Sequence, residues 1–370
     1  MTPSAAPDSG TTLSGPLLEF LKGELGACRY AEPPTALVRG NETDVYSLRL
    51  DGLAPPLDRP LVLRLFRPGT EPDHVRTEAV VQNAVADQGF PAPRAFTTCT
   101  TVEILGAPFF VMERVPGATY LGDTLGLDRS GTPQMAPWGV VRQGLRMLTE
   151  MPRKLAEVEV RMHALEVSGV AAALEEVHVP WQTRTVEGVL QRVSERSEKS
   201  AADGLRAGIE WLRRHLPSSS DPLVICHGDM QPLNLMIHDR QVSGVLDWSN
   251  TAFAPAECQV GWTRSVFLTL VLPLPAILRP AERLIANTIA DRYRSSYQLL
   301  RSSALDEDAV RYYEAFRCME ILVSMADRAA QGKPKRDAWD SPRAFGKLEA
   351  HFTAISGTSV SLEARSPDLA

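Results

Sequence analysis

The sequence is poor in cysteine and has no long uninterrupted hydrophobic segment. Its cysteines are Cys28, Cys99, Cys226, Cys258 and Cys318. They form no CxxC pair, which excludes a disulfide-rich scaffold and favours reduced thiols in the cytoplasm. The most apolar stretch, 266–278, is broken by Pro273 and Pro275, so we predict buried core there instead of a membrane span. The N-terminal residues lack the basic and apolar regions of a signal peptide, and we therefore predict a cytoplasmic protein with no membrane contact.

The sequence also lacks an excess of positive charge. Its 39 Lys and Arg residues face 45 Asp and Glu residues, which gives a net charge of −6. A nucleic-acid-binding protein usually carries a basic patch or stripe, so we expect no nucleic-acid partner. What the chain does have is the composition of a globular protein, with 44% hydrophobic and 23% charged residues over 370 positions. A chain of that length buries a large core without a disulfide or a metal as a staple.

The pattern of apolar residues divides the chain into a strand-rich part and a helical part. Alternating or short apolar runs predict strands at 45–50, 61–66, 96–105 and 108–113, with a helix at 71–88. After Gly117, helical periodicity dominates at 138–165, 185–216, 281–300 and 309–330, interrupted by short strands within 223–248. We therefore predict an α+β, bilobal fold with a small N-lobe at 16–115 and a larger, mainly helical C-lobe at 116–356. Residues 1–15 and 357–370 are predicted to be disordered tails.

Three polar residues with kinase-like spacing lie in that interruption. Asp229 precedes Asn234 by five residues, and Asp247 follows at the end of the next apolar strand. Phosphoryl transfer from ATP needs a carboxylate to accept the hydroxyl proton of the substrate and hard oxygen ligands for Mg²⁺. A kinase catalytic loop has this same spacing of base, Asn and later Asp. Asp and Asn also serve ordinary turns, but their joint occurrence favours the kinase interpretation.

The segment His227-Gly228-Asp229 to Asn234, followed by Asp247-Trp248, resembles the aminoglycoside phosphotransferase/choline kinase family. That family is similar to protein kinases in fold, and Gly228 stands where a protein kinase has arginine. The resemblance implies an ATP- and Mg²⁺-dependent O-phosphotransferase acting on a hydroxyl of a small molecule. It implies that Asp229 is the catalytic base and that Asn234 and Asp247 are the metal ligands.

The resemblance also assigns nucleotide contacts to the N-lobe. Arg64, on the strand at 61–66, would contact the phosphates in place of the usual Lys, and Glu78 would pair with it. A solvent-facing arginine is the alternative for Arg64. The loop containing Gly40 and Asn41 would cover the triphosphate, although it has one glycine and lacks the G-x-G-x-x-G pattern. In the segment that joins the lobes, backbone groups of Glu113 and Val115 would contact the adenine.

The acceptor side gives fewer signals. The structural Asp that the family usually carries after its metal motif is missing, and only Pro255 clearly remains of that pattern. Candidate acids for a cationic acceptor are Glu257, Asp291, Glu314 and Glu320. Aminoglycosides, macrolides, choline-like alcohols, sugars and homoserine-like metabolites all stay open, as does a monomer or a homodimer.

Two alternatives remain at this point. The first is a catalytically silent nucleotide-binding protein with a kinase-like fold, because Arg64 and the glycine-poor loop depart from the usual pattern. The second is a metal-dependent hydrolase that uses His227, Asp229, His238 and Asp247.

Overall fold

A computed structural model describes residues 9–39, 43–125, 137–218, 221–271, 279–301, 304–332 and 340–362. The chain forms two compact units. The first comprises the residues up to Gly117 together with Gly169–Val179 and Met236–Ser249, and the second comprises Ala118–Ser168, Pro180–Leu235 and the residues from Asn250 onward. The predicted lobes were continuous in sequence, whereas the first unit takes segments from both predicted lobes and the second comes from the predicted C-lobe and C-terminal tail.

The described helices are α1 (Ser9–Leu25), α2 (Pro72–Asp87), α3 (Tyr120–Leu125), α4 (Pro137–His163), α5 (Val167–Glu176), α6 (Val186–Lys199), α7 (Arg206–Arg214), α8 (Ala256–Thr269), α9 (Arg279–Arg301), α10 (Glu307–Ala330) and α11 (Pro342–Ser356). The strands are β1 (Arg29–Arg39), β2 (Thr43–Asp51), β3 (Leu61–Phe66), β4 (Ala95–Cys99), β5 (Phe109–Glu113), β6 (Ala118–Thr119), β7 (Val224–Cys226), β8 (Leu235–His238), β9 (Gln241–Val245) and β10 (Ala252–Ala254). Short 3₁₀ helices span Trp181–Arg184 and Asp203–Leu205. This confirms the predicted α+β class, with strands early in the chain and long helices after them.

The first unit is built on a five-stranded antiparallel sheet with strand order β1-β2-β3-β5-β4. Strand β3 separates two cores because its successive side chains point to opposite faces. Leu61, Leu63 and Leu65 join the cluster that contains Leu17 and Leu21 of α1. On the other face, Val62 and Phe66 join a cluster with Val75 and Ala79 of α2. Arg64 belongs to this second face by the same alternation.

Several element boundaries differ from the predictions. Helix α1 begins at Ser9, so residues 9–15 are helical where a loose tail was predicted, and residues 1–8 lie outside the described part. The strand predicted at 96–105 ends at Cys99, because a turn that closes at Gly106, with φ of +78°, follows it. The long helix predicted at 185–216 is interrupted between α6 and α7, where Ala201 adopts a left-handed φ of +50°. The predicted boundaries of the lobes and of the C-terminal tail stay predictions.

A second structural feature of the first unit is the β8–β9 hairpin, which leads to Asp247. Asp239 and Arg240 both have positive φ at its turn, as a two-residue hairpin with right-handed twist requires. At the end of the hairpin, Val245 N–H donates to the carbonyl of Pro91 at 2.7 Å. The fully buried Trp248 then packs edge-to-face on Phe90. These contacts fix the chain on both sides of Asp247.

The second unit is mainly helical and has its core between α6, α7, α8, α10 and α11. Trp262 of α8 and Tyr312, Phe316 and Met319 of α10 lie at the centre of this core. The short strands β7 and β10 pair antiparallel within the same unit, and β7 leads into the loop that carries Asp229. Val266 is buried in α8 as predicted, while residues 272–278 of the same apolar stretch lie outside the described part. In the described helices, none combines the length and the apolar character that crossing a membrane requires.

Candidate active site

In the first unit, Arg64 lies between two carboxylates. Its Nη1 is 3.2 Å from Glu78 Oε1, and its Nη2 is 3.3 Å from Asp247 Oδ2. The Glu78 side chain is 1% exposed and the Arg64 side chain 12%, so the alternative of a solvent-facing arginine does not hold. The guanidinium also lies 5.4 Å from the centre of the Phe66 ring, within the range of a cation–π contact.

Local structure explains why these three residues meet. The alternation of β3 turns Arg64 toward α2, where Glu78 lies on the buried face of the helix. Asp247 follows the β8–β9 hairpin with a left-handed φ of +67°, and Ser249 Oγ donates to its Oδ1 at 2.8 Å. A non-glycine residue with positive φ is uncommon and is often found at functional sites.

In the second unit, the carboxylate of Asp229 receives hydrogen bonds from several donors. Gln231 Nε2 donates to Oδ2 at 2.8 Å, and Asn234 Nδ2 donates to the same oxygen at 3.1 Å. Arg317 Nη2 lies 3.4 Å from Oδ1. The side chain stays 22% exposed. Its contacts fix the orientation of the carboxylate.

The backbone of this loop is held as firmly as its carboxylate. Asp229 N–H donates to His227 Nδ1 at 3.2 Å, and Gly228 N–H donates to Gln259 Oε1 at 3.3 Å. Gly228 has a φ of +81°, and any side chain there would collide with the carbonyl of Asn250. The glycine that distinguishes this loop from a protein-kinase loop is therefore required by its conformation.

Sequence reasoning missed Arg317. This residue of α10 is buried, lies 5.7 Å from the centre of the Trp262 ring, and forms a second ion pair with Glu320 at 2.6 Å. Burial would lower the pKa of the Arg317 guanidinium, but the carboxylates of Glu320 and Asp229 outweigh that effect and raise it. No motif links positions so far apart in sequence. Gln231, by contrast, lies two residues after Asp229, and its proximity to that predicted site residue is a signal that could have identified it.

Beneath the loop, sequence reasoning also missed Glu159 of α4. This fully buried carboxyl accepts hydrogen bonds from Thr263 at 2.8 Å and Gln259 at 3.2 Å on Oε1, and from Tyr293 on Oε2. Burial raises the pKa of Glu159 to about 8, although these hydrogen bonds act in the opposite direction. The same Gln259 that donates to Glu159 accepts the Gly228 N–H, so the network reaches the loop that carries Asp229.

The predicted adenine-contact segment is anchored in the first unit. The side chain of Glu113 accepts a hydrogen bond from Arg59 at 2.7 Å. Val115 packs against Gly244, and a Cβ added at Gly244 would lie 2.8 Å from Cγ1 of Val115. Ser243 Oγ donates to the carbonyl of Pro116 at 2.7 Å. The predicted phosphate-loop residues Gly40 and Asn41 lie outside the described residues.

The acids considered for a cationic acceptor are paired with cations. Glu257 contacts Arg301, Glu320 contacts Arg317, and Asp291 and Glu314 both contact Arg264. Their charges are therefore engaged within the second unit.

The donor set of the predicted metal ligands fits Mg²⁺, which prefers carboxylate and amide oxygens. Asn234 Nδ2 donates to the carbonyl and to the carboxylate of Asp229, so Oδ1 is the atom with which it would bind the metal. Asp247 offers a partly exposed carboxylate. In the described part of the chain, no three His, Cys, Asp or Glu side chains gather as a metal site, so the hydrolase alternative finds no ligand group there.

Comparison with solved structures shows the class of fold. A candidate aminoglycoside phosphotransferase from Ralstonia eutropha JMP134 is 18% identical and covers 92% of this chain and 95% of its own, with a TM-score of 0.57. A thermostable mutant of aminoglycoside phosphotransferase APH(4)-Ia, in a ternary complex with AMP-PNP and hygromycin B, is 17% identical and covers 93% of this chain and all of its own, with a TM-score of 0.52. The chain therefore has the protein-kinase-like fold predicted for it.

The profile of the Phosphotransferase enzyme family (APH) matches residues 35–283, and the chain belongs to that family. This confirms the resemblance inferred from the loop around Asp229. Curated relatives include acyl-CoA dehydrogenase family member 10 of Mus musculus, 27% identical over 63% of this chain, and acyl-CoA dehydrogenase family member 11 of Rattus norvegicus, 27% identical over 52%. The matches span 20% and 23% of the length of those relatives, so the chain corresponds to about a fifth of each.

Proposed function

We propose that this protein is an ATP- and Mg²⁺-dependent O-phosphotransferase that acts on a hydroxyl of a small molecule. The observation that carries the proposal is the Asp229 carboxylate, which is partly exposed and oriented by Gln231, Asn234 and Arg317. A general base must be fixed in direction and open to the substrate, and the contacts and partial exposure of this side chain support that role.

In the proposed reaction, Asp229 accepts the proton of the acceptor hydroxyl while the hydroxyl oxygen forms a bond to the γ-phosphorus of ATP. The bond from that phosphorus to the bridging oxygen of ADP breaks in the same step. Arg64, positioned by Glu78, would bind the phosphates, and backbone groups at Glu113 and Val115 would bind the adenine. The loop at Gly40 and Asn41 is proposed to cover the triphosphate.

Asn234 and Asp247 are the proposed ligands of Mg²⁺. When bound, the ion supplies positive charge that neutralises the phosphate oxygens. Asp229 contributes by orienting Asn234, because the hydrogen bonds that it accepts from Nδ2 turn the amide oxygen away from the carboxylate.

Acceptor candidates come from the names of related proteins. One neighbour in fold binds hygromycin B, and another is called a macrolide 2′-phosphotransferase. The curated relatives are named for acyl-CoA, which adds hydroxyl-bearing acyl-CoA derivatives to the acceptors worth testing.

The test is ADP release from MgATP in the presence of a panel of alcohols, measured for the wild-type chain and for Asp229→Asn. We expect turnover with at least one acceptor and a loss of about 10²-fold or more in kcat for Asp229→Asn, since general-base catalysis contributes about that much. Asp203→Asn is the matched control, because Asp203 forms an exposed ion pair with Arg206. Equal turnover by the wild type and Asp229→Asn would refute the role of the base.

One observation favours the silent alternative. Arg64, the proposed phosphate ligand, pairs with Asp247, the proposed metal ligand, so both are engaged before any nucleotide binds. Calorimetric binding of MgATP by the wild type, without ADP release across the acceptor panel, is the result that this alternative predicts.

A further inference from the structure

A buried polar network in the second unit supports the loop that carries Asp229. Gln259 and Glu159 are fully buried, and Thr263 is 1% exposed. Buried polar groups are costly unless each finds a hydrogen-bond partner, and here they satisfy one another. Gln259 is the member of this network that contacts the catalytic loop.

The bonding pattern fixes the orientation of the Gln259 amide. Its Oε1 accepts from Gly228 N–H at 3.3 Å, so its Nε2 is the atom that faces Thr263 at 2.9 Å and Glu159 at 3.2 Å. An amide supplies an acceptor on one side and donors on the other. A carboxylate at position 259 would accept from Gly228 but would offer no donor to Glu159.

We propose that Gln259 is a positioning residue for the base Asp229, and that Glu159 holds Gln259 in the orientation this requires. The inference rests on the proposed function, since it assumes that Asp229 acts in catalysis. Gln259 holds the peptide N–H of Gly228, immediately before Asp229, while His227 holds the N–H of Asp229 itself. Losing the first contact frees the turn from which the carboxylate projects, and a displacement of about 1 Å at a catalytic group costs about 10²-fold in rate.

Two single variants and one double variant test this inference. Gln259→Leu removes the contact, and Gln259→Glu keeps the acceptor oxygen but places a carboxyl against Glu159. Combining Gln259→Glu with Glu159→Gln exchanges the two groups, so that an amide at 159 again donates to an acceptor at 259. Thr269→Val is the control on the same helix, because it removes a buried hydrogen bond to Ser265 outside the network.

The first measurement is hydrogen exchange of the peptide that contains Gly228, which needs no activity. We expect exchange at least tenfold faster in Gln259→Leu and Gln259→Glu, wild-type exchange in Thr269→Val, and recovery in the double variant. The second measurement is ADP release from MgATP. We expect kcat to fall about 10–100-fold in both single Gln259 variants with KM for ATP within about twofold, and at least tenfold recovery of kcat in the double variant.

The two measurements separate the two proposals. If the wild type releases no ADP, the proposed function fails, while the exchange data still test whether Gln259 holds the loop. If Gln259→Leu does not fold, Gln259→Glu and the double variant carry the same comparison. Unchanged exchange at Gly228 in the folded Gln259 variants, or a double variant no better than Gln259→Glu, would overturn the inference.

Discussion

Replacing Arg64 tests the two ion pairs that its side chain forms in the first unit. Two different nitrogens of its guanidinium contact two carboxylates, at 3.2 Å for Glu78 and 3.3 Å for Asp247. Lysine carries the same charge on a single nitrogen at the end of a flexible chain, so Arg64→Lys cannot hold both contacts with separate donors. Arg64→Met removes the charge altogether and leaves Glu78 buried with its ion pair to Arg64 lost.

The magnitudes follow from burial. Removing one partner of a buried ion pair costs about 3–5 kcal/mol, so we expect Arg64→Met to lose that much free energy of unfolding. For Arg64→Lys we expect about 1–3 kcal/mol, because one of the two carboxylates loses its hydrogen-bonded partner. Arg67 is the matched control, since it binds Asp44 through two contacts of 3.0 Å but is 44% exposed. Exposed ion pairs contribute about 0–1 kcal/mol, and Arg67→Met should fall in that range.

The assay is urea denaturation followed by circular dichroism, with calorimetric binding of ATP as a second readout. We expect Arg64→Lys to weaken ATP binding in addition to lowering stability, and Arg67→Met to leave ATP binding within about twofold. The reasoning is refuted if Arg64→Met and Arg67→Met lose the same stability. It is also refuted if Arg64→Lys is as stable as the wild type.

Three further predictions concern the second unit. In thermal denaturation, Glu159→Gln should gain stability relative to the wild type as pH rises from about 5 to 8. The pKa of Glu159 is raised to about 8 in the folded protein, so the unfolded chain ionises this group first and the stability of the wild type falls across this window. Glu314→Gln should show the opposite trend, so that its loss of stability relative to the wild type becomes smaller as pH falls. Burial acts to raise the pKa of Glu314, but the hydrogen bond from His351 and the Arg264 guanidinium hold that pKa below its ordinary value. Gly228→Ala should lose at least about 1–2 kcal/mol of the free energy of unfolding in urea denaturation and should no longer release ADP, because Gly228 has a left-handed φ and an added Cβ would collide with a neighbouring carbonyl. Gly346→Ala, in open space on α11, should be neutral or stabilising in the same assay.

The sequence could predict those parts of the fold that depend on periodicity. Strand β3 and helix α2 lie within a residue of their predicted bounds, because alternation and a 3.6-residue repeat are local signals bounded here by Pro72 and Gly89. The break between α6 and α7 was missed because the segment is helical in pattern on both sides of it. The positive φ of Ala201 at that break is an uncommon conformation for alanine, although Asp203 and Gly204 close by are residue types typical of turns.

The residues of the candidate site also fall into two groups, those that a local signal predicts and those that depend on the tertiary structure. The spacing of Asp229 and Asn234 could be recognised because a loop brings residues five positions apart into contact. Arg317 and Gln259 could not be recognised, since they reach the same loop from α10 and α8 through packing of the second unit. Which residue accepts the N–H of Gly228 depends on the tertiary structure, and no local pattern indicates that it is Gln259.

The physical cost of the buried charges around Arg317 in the second unit favours an enzyme over a silent nucleotide-binding protein. The residues proposed to contact the adenine and the phosphates all belong to the first unit. Arg317 is a buried guanidinium paired with Asp229 and Glu320, and replacing a buried ionic cluster by apolar residues often stabilises a protein by about 1–4 kcal/mol. A protein that only bound nucleotide would gain stability by such a replacement and lose nothing in binding. The orientation of Asp229 by buried charge is therefore something that a phosphotransferase needs and a silent relative does not. Arg317→Met discriminates between the two. An enzyme should lose turnover while its affinity for ATP is retained, whereas a silent protein should change in stability alone.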